Sequence, residues 1–266
     1  MNLLRDALRA GHAPPVPRRP AARRVLVIGG AGVLGSAVLE QLLACRAFAQ
    51  VAVLVTQPLN TSALPGLVPV ARSALALPAS AHAVEDTAVI VFDRERHANG
   101  REDAFARPEP AELPELARAL RQRGVRRLIV VVPHAPGSLP DALKQGLANL
   151  DEQAVAALGF EQLLFMRSAQ APAGPRSGQA LQRLADWVLS QLRVMISQRD
   201  QPVRASKVAQ FAAQLAALLP TAPRGTRVVP PELVWEAAQT RQLADLASDW
   251  LNGRTHAELP VPTLRM

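Results

Sequence analysis

The sequence predicts an α/β protein built on a doubly wound parallel sheet with a mostly helical C-terminal lobe, and three observations carry that expectation. Short apolar runs alternate with segments of helical spacing from residue 25 to about residue 166, and runs without polar interruptions suit strands covered on both faces. The chain has 266 residues, 49% of them hydrophobic and 20% charged, which is enough for a sizeable core and too apolar for a disordered protein. Cys45 is the single cysteine, so no intrachain disulfide can form and burial must hold the fold. A reducing cytoplasm is the expected compartment.

The elements follow in order. Residues 25–28 are β-branched and apolar and end in glycines, which predicts a strand. Residues 33–43 carry Val33, Leu34, Val38, Leu39, Leu42 and Leu43 at helical spacing. Strands are expected at 51–55, weakly at 67–70, and at 87–92 and 128–132, where TAVIVF and LIVVV are continuous apolar runs. A helix over 112–123 ends at Gly124, another over 139–158 ends at Gly159, and QLLFM at 162–166 is the sixth strand. Residues 170–178 are rich in Pro, Gly and Ala and predict a loop. Helical patterns follow at 179–196, 205–219 and 231–251, with one short strand candidate at 227–229. The expected division is a basic Pro/Arg-rich arm at 1–24, a nucleotide-binding domain at 25–170, and a helical lobe for substrate or partner at 171–266 packed on the same core.

Charge and composition exclude several function classes. The net charge is +8, but Arg5, Arg9, Arg18, Arg19, Arg23 and Arg24 against Asp6 put +5 of it in the first 24 residues. The body is only mildly basic and has no aromatic stacking platform, which argues against a nucleic-acid partner. No apolar run approaches the ~18 residues of a membrane helix, and the leading segment lacks the apolar core of a signal peptide. Lys144 and Lys207 are the only lysines among 30 cationic residues, the composition of a GC-rich bacterial genome. The five histidines have no metal-ligand spacing, and no G-x-S-x-G elbow is present. Trp187, Trp235 and Trp250 fall on helical patterns, as core or interface anchors.

The strongest chemical signal is Gly29-Gly30-Ala31-Gly32-Val33-Leu34-Gly35, a G-x-x-G-x-x-G turn between the first strand and the first helix. Gly29 permits the sharp turn, Gly32 lets a pyrophosphate approach the backbone, and Gly35 lets the helix pack closely. The free N–H groups and positive end of the helix then face the phosphates. Ser36 stands where a P-loop would carry lysine, so a dinucleotide fits better than a triphosphate. The second strand ends Val55-Thr56-Gln57-Pro58, without the acid that selects NAD, a slight lean toward NADP. Thr56 is the candidate contact there, and Arg72 or Arg46 could reach a 2′-phosphate.

Taken together, the Rossmann-type turn, the TAVIVF and LIVVV strands, and the segments Asn149-Leu-Asp-Glu-Gln-Ala-Val155 and Phe160-Glu-Gln-Leu-Leu-Phe-Met-Arg167-Ser168 resemble an atypical short-chain dehydrogenase/reductase. The similarity leans to the Tat-interacting-protein oxidoreductase-like and NAD-dependent epimerase-like branches and spans roughly residues 25–240. It implies a tyrosine as general acid/base, a lysine four residues later, and a serine at the end of the fifth strand. The matching positions hold Lys144, Ala148 and Val132-Pro133, and the chain has no tyrosine, so that chemistry is absent. Lys144 and His134 are the weak substitute candidates; a surface lysine and a loop histidine are the plainer assignment. Asp93 and Arg94 stand at a strand end that opens onto the crevice, where a ligand contact, a salt bridge or a solvated loop all fit.

Three readings of function stay open. The first is a nicotinamide-dinucleotide-binding redox sensor or regulator acting through a protein partner, with the basic arm as a candidate partner-binding element. The second is an oxidoreductase or isomerase with non-standard acid/base groups, acting on a small carbonyl or hydroxyl substrate. The third is a structural subunit that binds no nucleotide. A monomer or homodimer is the expected state, and no metal is expected.

Overall fold

The computed structural model describes residues 23–59, 61, 64–76, 85–93, 103–132, 150–167 and 203–254. Seven strands form one parallel sheet: β1 (Arg24–Ile28), β2 (Gln50–Val55), β3 (Leu67–Ala71), β4 (Thr87–Val91), β5 (Arg127–Val132), β6 (Gln162–Arg167) and β7 (Gly225–Val229). Their order is β3-β2-β1-β4-β5-β6-β7, the Rossmann arrangement with one added strand. The described helices are α1 (Gly32–Ala44), α2 (Leu113–Arg123), α3 (Leu150–Ala156), α4 (Ala205–Leu218), α5 (Pro231–Gln239) and α6 (Leu243–Leu251).

The continuous apolar strands are explained by two cores, one on each face. Successive side chains alternate between faces. Val25, Val27, Val53, Val89, Val91, Ile129 and Val131 point to the side covered by α1, α4, α5 and α6. Leu26, Ile28, Leu54, Ile90, Leu128 and Val130 point to the side covered by α2 and α3. The central strands are almost wholly inaccessible to solvent, whereas the β3 edge buries only Leu67 and Val70 and leaves Val68, Pro69 and Ala71 exposed. Proline is tolerated there because an edge strand has no outer neighbour to receive its missing N–H.

Helix α2 shows how local chemistry sets the boundaries. Its 3₁₀ lead-in, Pro110–Glu112, is fixed by the Glu109 backbone N–H donating to the Glu112 carboxylate at 2.8 Å. Glu115 sits in the first turn and Arg121 and Arg123 in the last, each placed favourably against the helix dipole. Gly124, at φ 101°, closes the helix in the left-handed conformation.

One expectation changes, and two weak strand candidates are members of the sheet. The helical pattern at 231–251 is two helices, because Thr240 is extended and its hydroxyl accepts a bond from the Gln242 N–H at 3.1 Å. Such a side-chain turn offers the backbone an alternative to continuing the helix. The weak strand at 67–70 is a full member of the sheet, paired in parallel with β2. The short candidate at 227–229 is β7, extended to Gly225 and paired with β6. The apolar stripe Val208, Phe211, Ala212 and Leu215 is core, packed with α1 and the sheet. Trp235 and Trp250 lie half-buried against the same core. The arm at 1–22, the helix expected at 179–196 and Trp187 lie outside the described residues, as does the 139–149 part of the expected helix over 139–158.

Arg23 joins the first strand to the C-terminal elements. Its guanidinium donates to the carbonyls of Ala217 (2.9 Å) and Ala216 (3.1 Å) in the last turn of α4 and lies 4.8 Å from the Phe48 ring centre. A cation at a helix C-terminus meets the negative end of the dipole, and the ring face adds a further attraction.

Candidate functional site

Strand β1 has β2 on one side and β4 on the other, so the connections leave it in opposite directions and a crevice opens at the carboxyl ends. In sheets of this kind ligands bind at that switch point. The turn 29–35 and the end of β4 are its two walls.

The glycines have separate physical reasons. Gly29 has φ +89°, and a Cβ there would lie 2.0 Å from the Val91 carbonyl oxygen. The turn therefore presses on β4 with only backbone between. A Cβ on Gly35 would lie 2.1 Å from the Gly29 oxygen, so α1 packs against the turn that precedes it. Gly30 faces the Val53 side chain, 3.0 Å from where its Cβ would stand, and Gly32 is held at φ 79°. Substituting Gly29 or Gly35 disturbs packing before any ligand is considered.

Helix α1 begins after Ala31, which has no side-chain oxygen to cap the first turn. The missing acceptor comes from 59 residues away. The Asp93 carboxylate receives the Leu34 N–H at 2.6 Å and the Gly35 N–H at 3.3 Å through one oxygen, Oδ2. A carboxylate on these donors is well placed against the helix dipole. Asp93 thus closes the first turn of α1 from the end of β4. Arg94 lies outside the described residues.

The end of β2 is also engaged. Val55 and Phe105 form an antiparallel bridge, and the Ala106 N–H donates to the Leu54 carbonyl at 2.9 Å. The Thr56 N–H donates to the Ala104 carbonyl at 2.8 Å, and its hydroxyl donates to the carbonyls of Asp103 and Ala104 at 3.3 Å. Residues 103–106 therefore form a strap over the strand end where a dinucleotide fold places its ribose-selecting side chain. The Phe105 ring approaches Gly30. Of the arginines considered for a 2′-phosphate, Arg72 is bonded to Glu112 and Arg46 is exposed.

That Arg72 bond, with the Glu109 N–H, holds the Glu112 carboxyl below its ordinary value of 4.5 against the opposing effect of burial. A lowered carboxyl contributes stability that is present above the unfolded value and lost as pH falls through the folded one. Glu112→Gln should therefore flatten the fall in Tm below about pH 4.5, read by thermal melts between pH 6 and 3.

At the other end of the crevice, where β5 and β6 pair Val132 with Arg167, Arg167 donates to Glu152 of α3 at 2.8 Å, and both are buried. Lys144, His134 and Pro133 lie outside the described residues. No group of three potential metal ligands, and no helix long and apolar enough to cross a membrane, occurs among the described residues.

No family model matches the chain, and no curated protein matches it. Solved structures do. An NAD-dependent epimerase/dehydratase-like protein from Bacillus halodurans is 16% identical, matched over 81% of this chain and 99% of its own, at a TM-score of 0.45. The oxidoreductase ylbE from Lactococcus lactis is 13% identical over 81% of this chain and 95% of its own, TM-score 0.40. The enzyme WbmH from Bordetella bronchiseptica, solved in complex with NAD+, is 14% identical over 85% and 96%, TM-score 0.36. At such identities the likeness is one of fold, and the fold itself follows from the strand order and register above. This chain is an α/β protein of the Rossmann type.

Proposed function

We propose that this chain is an NAD(P)(H)-binding protein whose role is sensing or regulation, not oxidoreduction through a Ser-Tyr-Lys set. The observation that carries the reading is the placement of the G-x-x-G-x-x-G turn and the N-terminus of α1 at the switch point between β1 and β4. The absence of tyrosine from the whole chain removes the phenol that the resembling family uses to move a proton. A nicotinamide dinucleotide, when bound, would supply a hydride-carrying ring. The backbone of Gly32, Val33, Leu34 and Gly35 is the part of this chain suited to its pyrophosphate.

The turn fits that group in backbone and does not fit it in charge. Leu34 and Gly35 already give their N–H groups to the Asp93 carboxylate, and a pyrophosphate on the same donors would be a second anion beside the first. The test is titration of the purified chain with NADPH and NADH, followed by nucleotide fluorescence and thermal shift. Saturable binding, lost in Gly32→Asp, is the expected result; a micromolar affinity corresponds to about −8 kcal/mol and raises the melting temperature at saturation. Absence of binding to millimolar concentration, in the natural chain and with Asp93 neutralised, would leave the turn as packing alone.

A further inference from the structure

We infer that the nucleotide site is filled by the chain itself: the Asp93 carboxylate stands in the pyrophosphate position and the 103–106 strap covers the ribose position, so binding requires both to move. This rests on the dinucleotide reading and adds the regulation of that site.

Three observations from different elements converge on it. Ala31 leaves the first turn of α1 without a local cap, and a carboxylate delivered by β4 takes the Leu34 and Gly35 donors. A phosphate oxygen and an ionised carboxylate cannot share these donors, because each donor has one hydrogen and the two anions repel. On the other wall the strap is held by backbone bonds to the last residues of β2, Ala106 to Leu54 and Thr56 to Ala104. Between them the remaining opening is bordered by Gly29, Ala31, Gly32, Asp93, Arg107 and Pro108, so Asp93 and the residues that follow the strap line one and the same concavity. The walls are thus self-complementary, and a nucleotide competes with contacts already made. Its apparent affinity is reduced by the fraction of molecules in the uncapped arrangement.

Asp93→Asn tests this in the full chain. Asparagine keeps a side-chain oxygen able to cap the helix and removes the charge. Two probes are used, inorganic pyrophosphate and NADPH or NADH, with the Leu34 and Gly35 amide signals followed in ¹H–¹⁵N spectra. The natural chain should show no movement of these signals with millimolar pyrophosphate, whereas the variant should show saturable shifts of both. The dinucleotide Kd should fall at least tenfold in the variant. Equal dinucleotide affinity in both proteins overturns self-occupancy and leaves the dinucleotide reading standing. Pyrophosphate shifts in the variant without dinucleotide binding sink that reading and keep self-occupancy. Silence of both proteins toward both probes overturns the two together. Ala106→Pro removes the strap's N–H to Leu54 with Asp93 intact. It should also tighten dinucleotide binding, and an unchanged or weaker affinity overturns the strap's part.

Discussion

Gly29→Ala should lower stability by about 4 kcal/mol or more, the range reserved for substitutions with a named structural clash. Two costs act together. The backbone is held at φ +89°, which costs an L-residue on the order of 1–3 kcal/mol. The new methyl would also meet the Val91 carbonyl oxygen at 2.0 Å, and that oxygen belongs to a central strand that cannot retreat without disturbing its pairing with β5. For a chain of this size each kcal/mol is worth roughly 2–4 °C, so thermal melts should show a fall of about 8 °C or more. Gly35→Ala should destabilise as well. Alanine in a helix is ordinarily about 0.5–1 kcal/mol better than glycine, but here the methyl lies 2.1 Å from the Gly29 oxygen. Gly253→Ala is the control: its φ is +70°, yet nothing lies within 4 Å of the new atom. Equal losses at Gly29 and Gly253 would mean that backbone strain alone sets the effect.

Glu85→Ala should cost about 3 kcal/mol, the lower end for breaking a buried ion pair by removing one partner. The Arg123 Nε donates to the Glu85 carboxylate at 3.1 Å, with side-chain exposures of 10% and 7%. Arg123 Nη1 also donates to the Ala74 carbonyl at 2.7 Å. Truncating Glu85 leaves a poorly solvated guanidinium with that carbonyl but without its counter-charge. Replacing both residues, Glu85→Leu with Arg123→Met, removes the stranded charge and should recover most of the loss. Chemical denaturation of the two single variants and the double variant measures the coupling. The pair lies at the amino end of the sheet, away from the crevice, so nucleotide affinity should not change in these proteins. A changed affinity would show that the brace also shapes the site.

These two sites act on the same frame in different ways. The glycines allow backbone to touch backbone at the switch point, whereas the ion pair fastens the turn at 72–76 and the start of β4 to the end of α2. Asp93 belongs with neither. It holds the helix that the glycines position, and its charge makes the position selective against the anion expected there.

The β-α alternation, the helices around Leu34–Leu42 and Leu113–Leu120, and the glycine turn were all legible in the chain, because each is set by residues within a dozen positions of one another. Val91 and Val131 read as buried strand residues since a strand covered on both faces needs no polar alternation. The break at Thr240 was not legible, because the apolar spacing runs through it and one hydroxyl bond decides the interruption. The weak strand at 67–70 looked marginal because an edge strand buries few side chains: in β3 only Leu67 and Val70 are buried, one toward each core.

The sequence by itself determined that a turn able to meet an anion begins the first helix, and that no phenol is available to do chemistry beside it. Only the tertiary structure decided which residue meets the turn. Asp93 is 59 positions from Leu34 and reaches it because β4, not β2 alone, lies beside β1. Strand order is a property of the whole sheet: local spacing marks a strand without naming its neighbour. The strap over β2 arises in the same way, from the bridge between Val55 and Phe105. The physical reason is that hydrogen-bond donors at a helix start are satisfied by whatever acceptor the fold brings within 3 Å, and proximity of that kind is not written in any one segment.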